Sequence, residues 1–195
     1  MQVVKVDNKV FVGKDIIHCA VFKKKDERTI YNMIYKDGTS ANTMMKRFPV
    51  TSITRGKNYN LTKSEKGSEV IYFTANPNGE AETVTVYLKK LGKIKTLKID
   101  VDFSSLTIKG KEAGGNIVSK NSVRKIELKS EGISTLSARK VWFDDNVQRL
   151  NVEGRGELLG AFKAQDKILT IKQNGELELK SFDISNHFDE DMILI

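Results

Sequence analysis

Six cations stand between Gly114 and Asp144, and five of them, Lys120, Arg124, Lys125, Arg139 and Lys140, draw attention first. Apolar residues fill most gaps between them, so the stretch reads as a folded basic hairpin rather than a disordered basic tail. It opens on the Gly114-Gly115 turn, runs as a strand from Ile117 to Leu128, turns at Glu131-Gly132 and returns through Lys140-Val141-Trp142-Phe143. Lysine and arginine at strand ends and turns can neutralise the phosphates of a nucleic-acid backbone, a contact that carries no base information. Val123 and Ile126 have opposite parity, so this strand cannot alternate throughout, and a bend or bulge between Ser119 and Lys125 is the simplest repair. A bend there swings Lys120 and Arg124 outward, towards Arg139 and Lys140 on the facing strand. These four are the predicted phosphate contacts, and Lys46, Arg47, Lys93 and Lys95 are the equivalent predicted cluster elsewhere. The competing reading leaves them solvated or paired with Glu127 and Glu131.

Other chemistry finds little support. Asp189-Glu190-Asp191 has the ligand type that hard cations take, but no supporting carboxylate cluster accompanies it, and the run reads as a solvated or capping segment. His18 and His187 lie far apart in sequence with no cysteine pair, which argues against zinc. Gly154-Arg155-Gly156-Glu157 lacks the lysine and the helix of a phosphate loop. Tyr31, Tyr35, Tyr59, Tyr72 and Tyr87 suit packing on strand faces. No catalytic constellation, metal site or cofactor is expected. The single cysteine, Cys19, excludes an internal disulfide and fits a reducing compartment. Its place in the apolar run Ile16 to Phe22 predicts a buried, inert thiol.

The elements that must position these residues are strands. Ile30 to Tyr35 has some helical spacing, but Asp37-Gly38 follows at once as a hairpin turn, which predicts a strand. Val3 to Val12, Val70 to Thr74, Thr83 to Leu88, Leu97 to Phe103, Val147 to Val152, Leu158 to Phe162, Lys167 to Lys172 and Leu177 to Phe182 read the same way. Pro49 marks an edge or an exit. No stretch makes a convincing amphipathic helix, so the fold class is all-β. The glycines expected at hairpin turns, Gly38, Gly79, Gly132 and Gly175, are 41, 53 and 43 residues apart. That period predicts a propeller-like disc or spiral of about four four-stranded antiparallel blades. The predicted domain spans residues 1–195, with approximate blades at 1–60, 61–113, 114–153 and 154–195. Apolar neighbours on both parities predict that Trp142 is buried between blades.

The chain has 195 residues, 39% of them hydrophobic and 30% charged, enough for a real core under a soluble surface. Its net charge of +8 is uneven: residues 151–195 hold 5 Lys/Arg against 9 Asp/Glu, and residues 1–150 hold 28 against 16. The basic part therefore points to a polyanionic partner. No signal peptide pattern and no apolar run of the ~18 residues a membrane span needs are present, which fits a cytoplasmic protein without a membrane partner. Strand pattern at Met1 and the apolar run Met192-Ile193-Leu194-Ile195 at the other end suggest a piece of a longer protein.

Several motifs carry a family resemblance. Gly115-Asn116-Ile117-Val118-Ser119-Lys120 is similar to the Gly-rich turn and strand of each blade in the C-terminal DNA-wrapping domain of type IIA topoisomerase A subunits. Arg139-Lys140-Val141-Trp142-Phe143 resembles the return strand. Ile30 to Tyr35 with Asp37-Gly38 and Lys46-Arg47-Phe48, and Asp166 to Gly175, resemble further blade strands of this β-pinwheel. The resemblance covers most of the chain. It implies sequence-nonspecific binding and bending of duplex DNA, as the accessory domain of a DNA gyrase or topoisomerase IV A subunit. The implied partners are DNA, the catalytic core of the same subunit and, through it, the ATPase B subunit, near the nucleoid. The glycine- and arginine-rich box that marks gyrase is absent; Gly154-Arg155-Gly156 is the nearest fragment, which favours a topoisomerase IV type. No tyrosine follows an arginine, as the family's DNA-cleaving tyrosine does, so the chain is expected to be non-catalytic by itself. A protein-interaction propeller whose charge serves only solvation is the alternative.

Overall fold

A computed structural model describes residues 15–24, 26–64, 66–90, 94–163 and 166–195. The strand pattern expected over Val3 to Val12, and Lys93, lie outside the described residues. The chain is nearly all β, with two compact units, residues 1–135 and 136–195. The first unit holds β1 (Ile30–Lys36), β2 (Thr43–Pro49), β3 (Glu69–Asn76), β4 (Glu80–Leu88), β5 (Lys98–Asp102), β6 (Asn116–Ser119) and β7 (Val123–Ser134). The second holds β8 (Arg139–Asp144), β9 (Arg149–Asn151), β10 (Glu157–Phe162), β11 (Lys167–Lys172), β12 (Leu177–Ser181) and β13 (Met192–Leu194). Among the described residues they form four antiparallel sheets, ordered β3-β1-β2-β6, β5-β4-β7, β10-β8-β9 and β12-β11-β13. The first sheet draws its strands from three of the segments 1–60, 61–113 and 114–153.

The turn chemistry accounts for the hairpins. Asp37 Oδ2 accepts hydrogen bonds from Ser40 N at 2.9 Å and Ser40 Oγ at 2.6 Å, closing the β1–β2 turn. Gly79, at φ +66°, supplies the left-handed residue of the β3–β4 turn, and its N–H donates to Asn76 O at 3.0 Å. β1 is buried on both faces. Ile34 joins a cluster with Val84, Val86, Leu88, Val101 and Phe103, while Met33 and Tyr35 join another with Met44, Phe48 and Val50. Apolar side chains are therefore needed at both parities, which is why this strand carries a helix-like spacing in sequence.

Three expectations need correction. Glu131-Gly132 is not a turn: β7 runs through it and pairs with β4, while β8 pairs with β9 and β10 in the other unit. The predicted hairpin therefore does not form. Gly132 is a point of close approach instead, since a Cβ there would lie 2.0 Å from Ala81 C. Cys19, expected to be buried within the apolar run Ile16 to Phe22, is exposed. Phe22 packs against the Met33–Phe48 cluster, and the His18 ring lies 5.3 Å from that of Phe73. Trp142 is half-buried, because the core-facing positions of β8 are its neighbours Val141 and Phe143.

Candidate nucleic-acid interface

Alternation in β4 sends Val84, Val86 and Leu88 into the core and leaves Thr83, Thr85 and Tyr87 on the opposite face. Register then decides what joins Tyr87 there. Its partners across the two neighbouring strands are Lys98 on β5 and Lys125 on β7. The ladder slips between Val123, opposite Leu88, and Lys125, opposite Tyr87, so Arg124 is the extra residue of a bulge. Three cations thereby converge on one ring. Lys125 Nζ lies 4.7 Å, Lys98 Nζ 5.3 Å and the Arg124 guanidinium carbon 5.9 Å from the Tyr87 centroid. All three are exposed. Each gains from the negative face of the ring, and the ring holds their stems in place.

Two carboxylates lie among these cations. Glu127 pairs with Lys125, and Asp100 Oδ2 accepts from Lys129 Nζ at 2.5 Å. The lysine hydrogen bond holds each carboxyl below its ordinary value, so both are ionised near neutrality. The hydrogen bond to Glu127 raises the Tyr87 hydroxyl above its usual value, so Tyr87 stays a neutral phenol. The face is a ridge of cations with fixed spacing. Its cations can engage phosphates.

The sequence matches the family described as topoisomerase C-terminal domain, Bacteroidota, over residues 1–131 and 149–195. The chain belongs to this family. The match leaves out residues 132–148, where the predicted return-strand motif Arg139 to Phe143 lies. Among solved structures, a crystal structure of the C-terminal domain of DNA topoisomerase IV is similar at 10% identity with a TM-score of 0.39, over 87% of this chain and 57% of that one. The chain thus spans little more than half of that structure. No curated protein matches the sequence.

In this topoisomerase C-terminal domain the predicted contact residues separate. Lys120 and Lys95 are exposed in the first unit, Lys120 in the short link between β6 and β7 where Ser119 Oγ accepts from Asn121 N at 2.9 Å. The expected bend is this break, together with the bulge at Arg124. Lys140 is exposed and Arg139 half-buried on β8, in the second unit. Lys46 and Arg47 are not surface cations. They are 4% and 1% exposed. Lys46 Nζ donates to Lys111 O at 2.6 Å and Ala113 O at 2.9 Å, and the Arg47 guanidinium donates to Asn32, Gly79, Glu80 and Thr135. Their charges are spent inside the domain. Sequence reasoning missed Tyr87, Lys98 and Lys129. The signal was the alternation Lys125-Ile126-Glu127-Leu128-Lys129, but placing it beside Tyr87 required the β4–β7 register.

Proposed function

We propose that this domain binds duplex DNA without sequence preference and bends or wraps it as the accessory C-terminal domain of a topoisomerase A subunit. It would guide DNA to the catalytic core of the same subunit, and through that core work with the ATPase B subunit. The observation that carries this reading is the convergence of Lys98, Arg124 and Lys125 on Tyr87. Family membership supports it. Lys120 and Lys95 on the same unit, and Arg139 and Lys140 on the other, complete the proposed contact set. Backbone contacts bind all sequences alike, and bending a 20–30 base-pair arc costs about 1–6 kcal/mol, which several phosphate contacts can offset. Absence of the gyrase box supports a topoisomerase IV type, acting in the cytoplasm near the nucleoid.

The test is a salt titration of duplex affinity for the wild type and for the Lys98/Arg124/Lys125→Ala variant. Each lost phosphate contact flattens the slope of log K against log salt by about 0.9, so the variant should lose about 2–3 in slope. An unchanged slope in a folded variant would remove the Tyr87 face from the DNA path. Absence of duplex binding by the wild type would leave the protein-interaction reading.

A further inference from the structure

A second aromatic ring lies between two cations, and the face described above does not include it. Lys57 Nζ lies 5.3 Å and Lys111 Nζ 5.2 Å from the centroid of Tyr59. The two lysines come from different loops, one following β2 and one preceding β6. Arg55 and Lys63 are exposed on the first loop and Lys109 on the second. The nearby carboxylate, Glu112, is 3.7 Å from Lys111 Nζ and largely exposed.

Both loops are held from beneath. Tyr59 OH accepts from Thr54 N at 2.7 Å, folding the ring back over the turn that carries Arg55 and Lys57. Tyr35 OH accepts from Lys63 N at 3.2 Å and donates to Gly114 O, so one buried phenol ties the first loop to the second. Lys46 Nζ, beneath the second loop, grips the carbonyls of Lys111 and Ala113 and stands 4.7 Å from the Phe48 centroid. Gly115, at φ +86°, lets the chain pass over Met45, where a Cβ would lie 2.3 Å from the Met45 carbonyl oxygen. Loops fixed in this way present cations at low ordering cost, which separates a binding patch from a merely solvated one.

We propose that Lys57 and Lys111, held either side of Tyr59, form a second backbone-phosphate contact site for duplex DNA, with buried Lys46 as the positioning residue that fixes Lys111. This inference rests on the DNA-binding reading above and adds a contact region on the two loops. A duplex engaging both regions releases counterions at each, so their contributions to the salt slope add.

The experiment uses the full chain and a duplex of about 40 base pairs. Lys57/Lys111→Ala should flatten the salt slope by about 2, and combining it with Lys98/Arg124/Lys125→Ala should flatten it by about 4–5. Lys46→Met should flatten it by about 1 and speed hydrogen exchange at amides 109–114 while leaving β4 and β5 amides protected. Should Lys46→Met fail to fold, the Lys57/Lys111→Ala result still decides the site. An unchanged slope in Lys57/Lys111→Ala, with a flattened slope in the Tyr87-face variant, would overturn this site and keep the function. Unchanged slopes in both would overturn both. Tighter binding of a poly-glutamate peptide than of the duplex, lost in Lys57/Lys111→Ala, would assign the loops to an acidic protein partner and also overturn the proposal.

Discussion

Arg47 Nε donates a hydrogen bond to Asn32 Oδ1 at 2.8 Å, between residues directly opposite on β2 and β1. The same Asn32 donates through Nδ2 to Glu82 Oε2 at 2.6 Å. Its amide therefore has a cation on its oxygen side and a carboxylate on its nitrogen side, and carries the attraction between two buried charges. Glu82 also accepts from Tyr72 OH at 3.1 Å and Thr74 Oγ1 at 2.5 Å. Arg47 NH2 donates to Gly79 O at 2.9 Å, and NH1 to Thr135 Oγ1 at 3.0 Å. One guanidinium thus joins β1, the β3–β4 turn and the end of β7.

Replacing Arg47 by methionine should destabilise the first unit by about 3–5 kcal/mol, because Glu82 keeps a buried charge with its opposite gone. Denaturant unfolding of the two proteins measures this. A loss within about 0.5 kcal/mol, the range of ordinary surface substitutions, would show that Arg47 is not buried as described.

Lys46 gives a pH signature. Burial pushes its ammonium down to about 8 from an ordinary value of 10.5, with Glu112 pulling weakly the other way. Between these values the unfolded chain holds a proton that the folded chain has released. Stability from this group therefore rises with pH across that window, and its contribution is flat below pH 8. The full effect is about 3 kcal/mol. Unfolding of the wild type and of Lys46→Met at pH 7, 8.5 and 10 should show the wild type gaining relative to the variant as pH rises. A difference that does not change with pH would count against the buried ammonium.

Gly132 and Gly154 should respond differently to alanine. At Gly132 a Cβ would lie 2.0, 2.2 and 2.3 Å from Ala81 C, Ala81 O and Glu82 N, all backbone atoms, where the β4–β7 ladder already slips. Strand β7 must move, and the cost should be about 3 kcal/mol or more. At Gly154, φ is +86° and no atom lies within 4 Å of the added carbon, so only the backbone penalty of about 1–2 kcal/mol applies. Equal losses at the two positions would contradict the close approach of β7 to β4.

That pair also marks how far the sequence could be read. Asn76 to Gly79 and Asn174-Gly175 sit at hairpin turns whose glycines have φ of +66° and +83°, so local backbone demand decides the residue type, whereas a Cβ at Gly38 would lie 1.9 Å from Lys66 O. Gly132 has the same type for a non-local reason, and its cause, the backbone of Ala81, is distant in sequence. Lys46 and Arg47 fail in the same way. A cation between apolar residues reads as surface unless its partners are known, and Asn32, Glu82 and the Lys111 carbonyl meet them only through pairing and loop closure. The bend that exposes Arg124 was legible, because mismatched parity within one strand is a local signal. The cations around Tyr87 were individually visible, while their convergence depended on register across three strands.

In the second unit, Phe143→Ala should cost about 3–5 kcal/mol, since Phe143 is 6% exposed and its ring meets Phe188 edge-on at 5.7 Å. Trp142, half-buried on the other face of β8, should cost no more than about 2 kcal/mol on truncation to alanine. The order of the two losses, read from thermal or chemical unfolding, is the test. A larger loss at Trp142 would restore the expectation that its indole is packed in a core.

The carboxylates on the Tyr87 face allow a test of opposite sign. Glu127 occupies Lys125, and Asp100 occupies Lys129. Both pairs are solvent-exposed, so a phosphate can compete for each lysine, but an ionised carboxylate beside it repels the phosphate and holds the ammonium back. Removing the negative charges by Glu127→Gln and Asp100→Asn frees both lysines without changing side-chain size. If this face meets the DNA backbone, the double variant should bind duplex more tightly and show a salt slope steeper by up to about 2, one contact per freed lysine. Its thermal midpoint should stay close to that of the wild type, because the core beneath Val84 and Val86 is untouched. A gain in affinity of equal size at every salt concentration would not be electrostatic, and would not come from new phosphate contacts. Salt titrations of the two proteins separate these outcomes, and an unchanged slope would place the phosphate path away from Lys125 and Lys129.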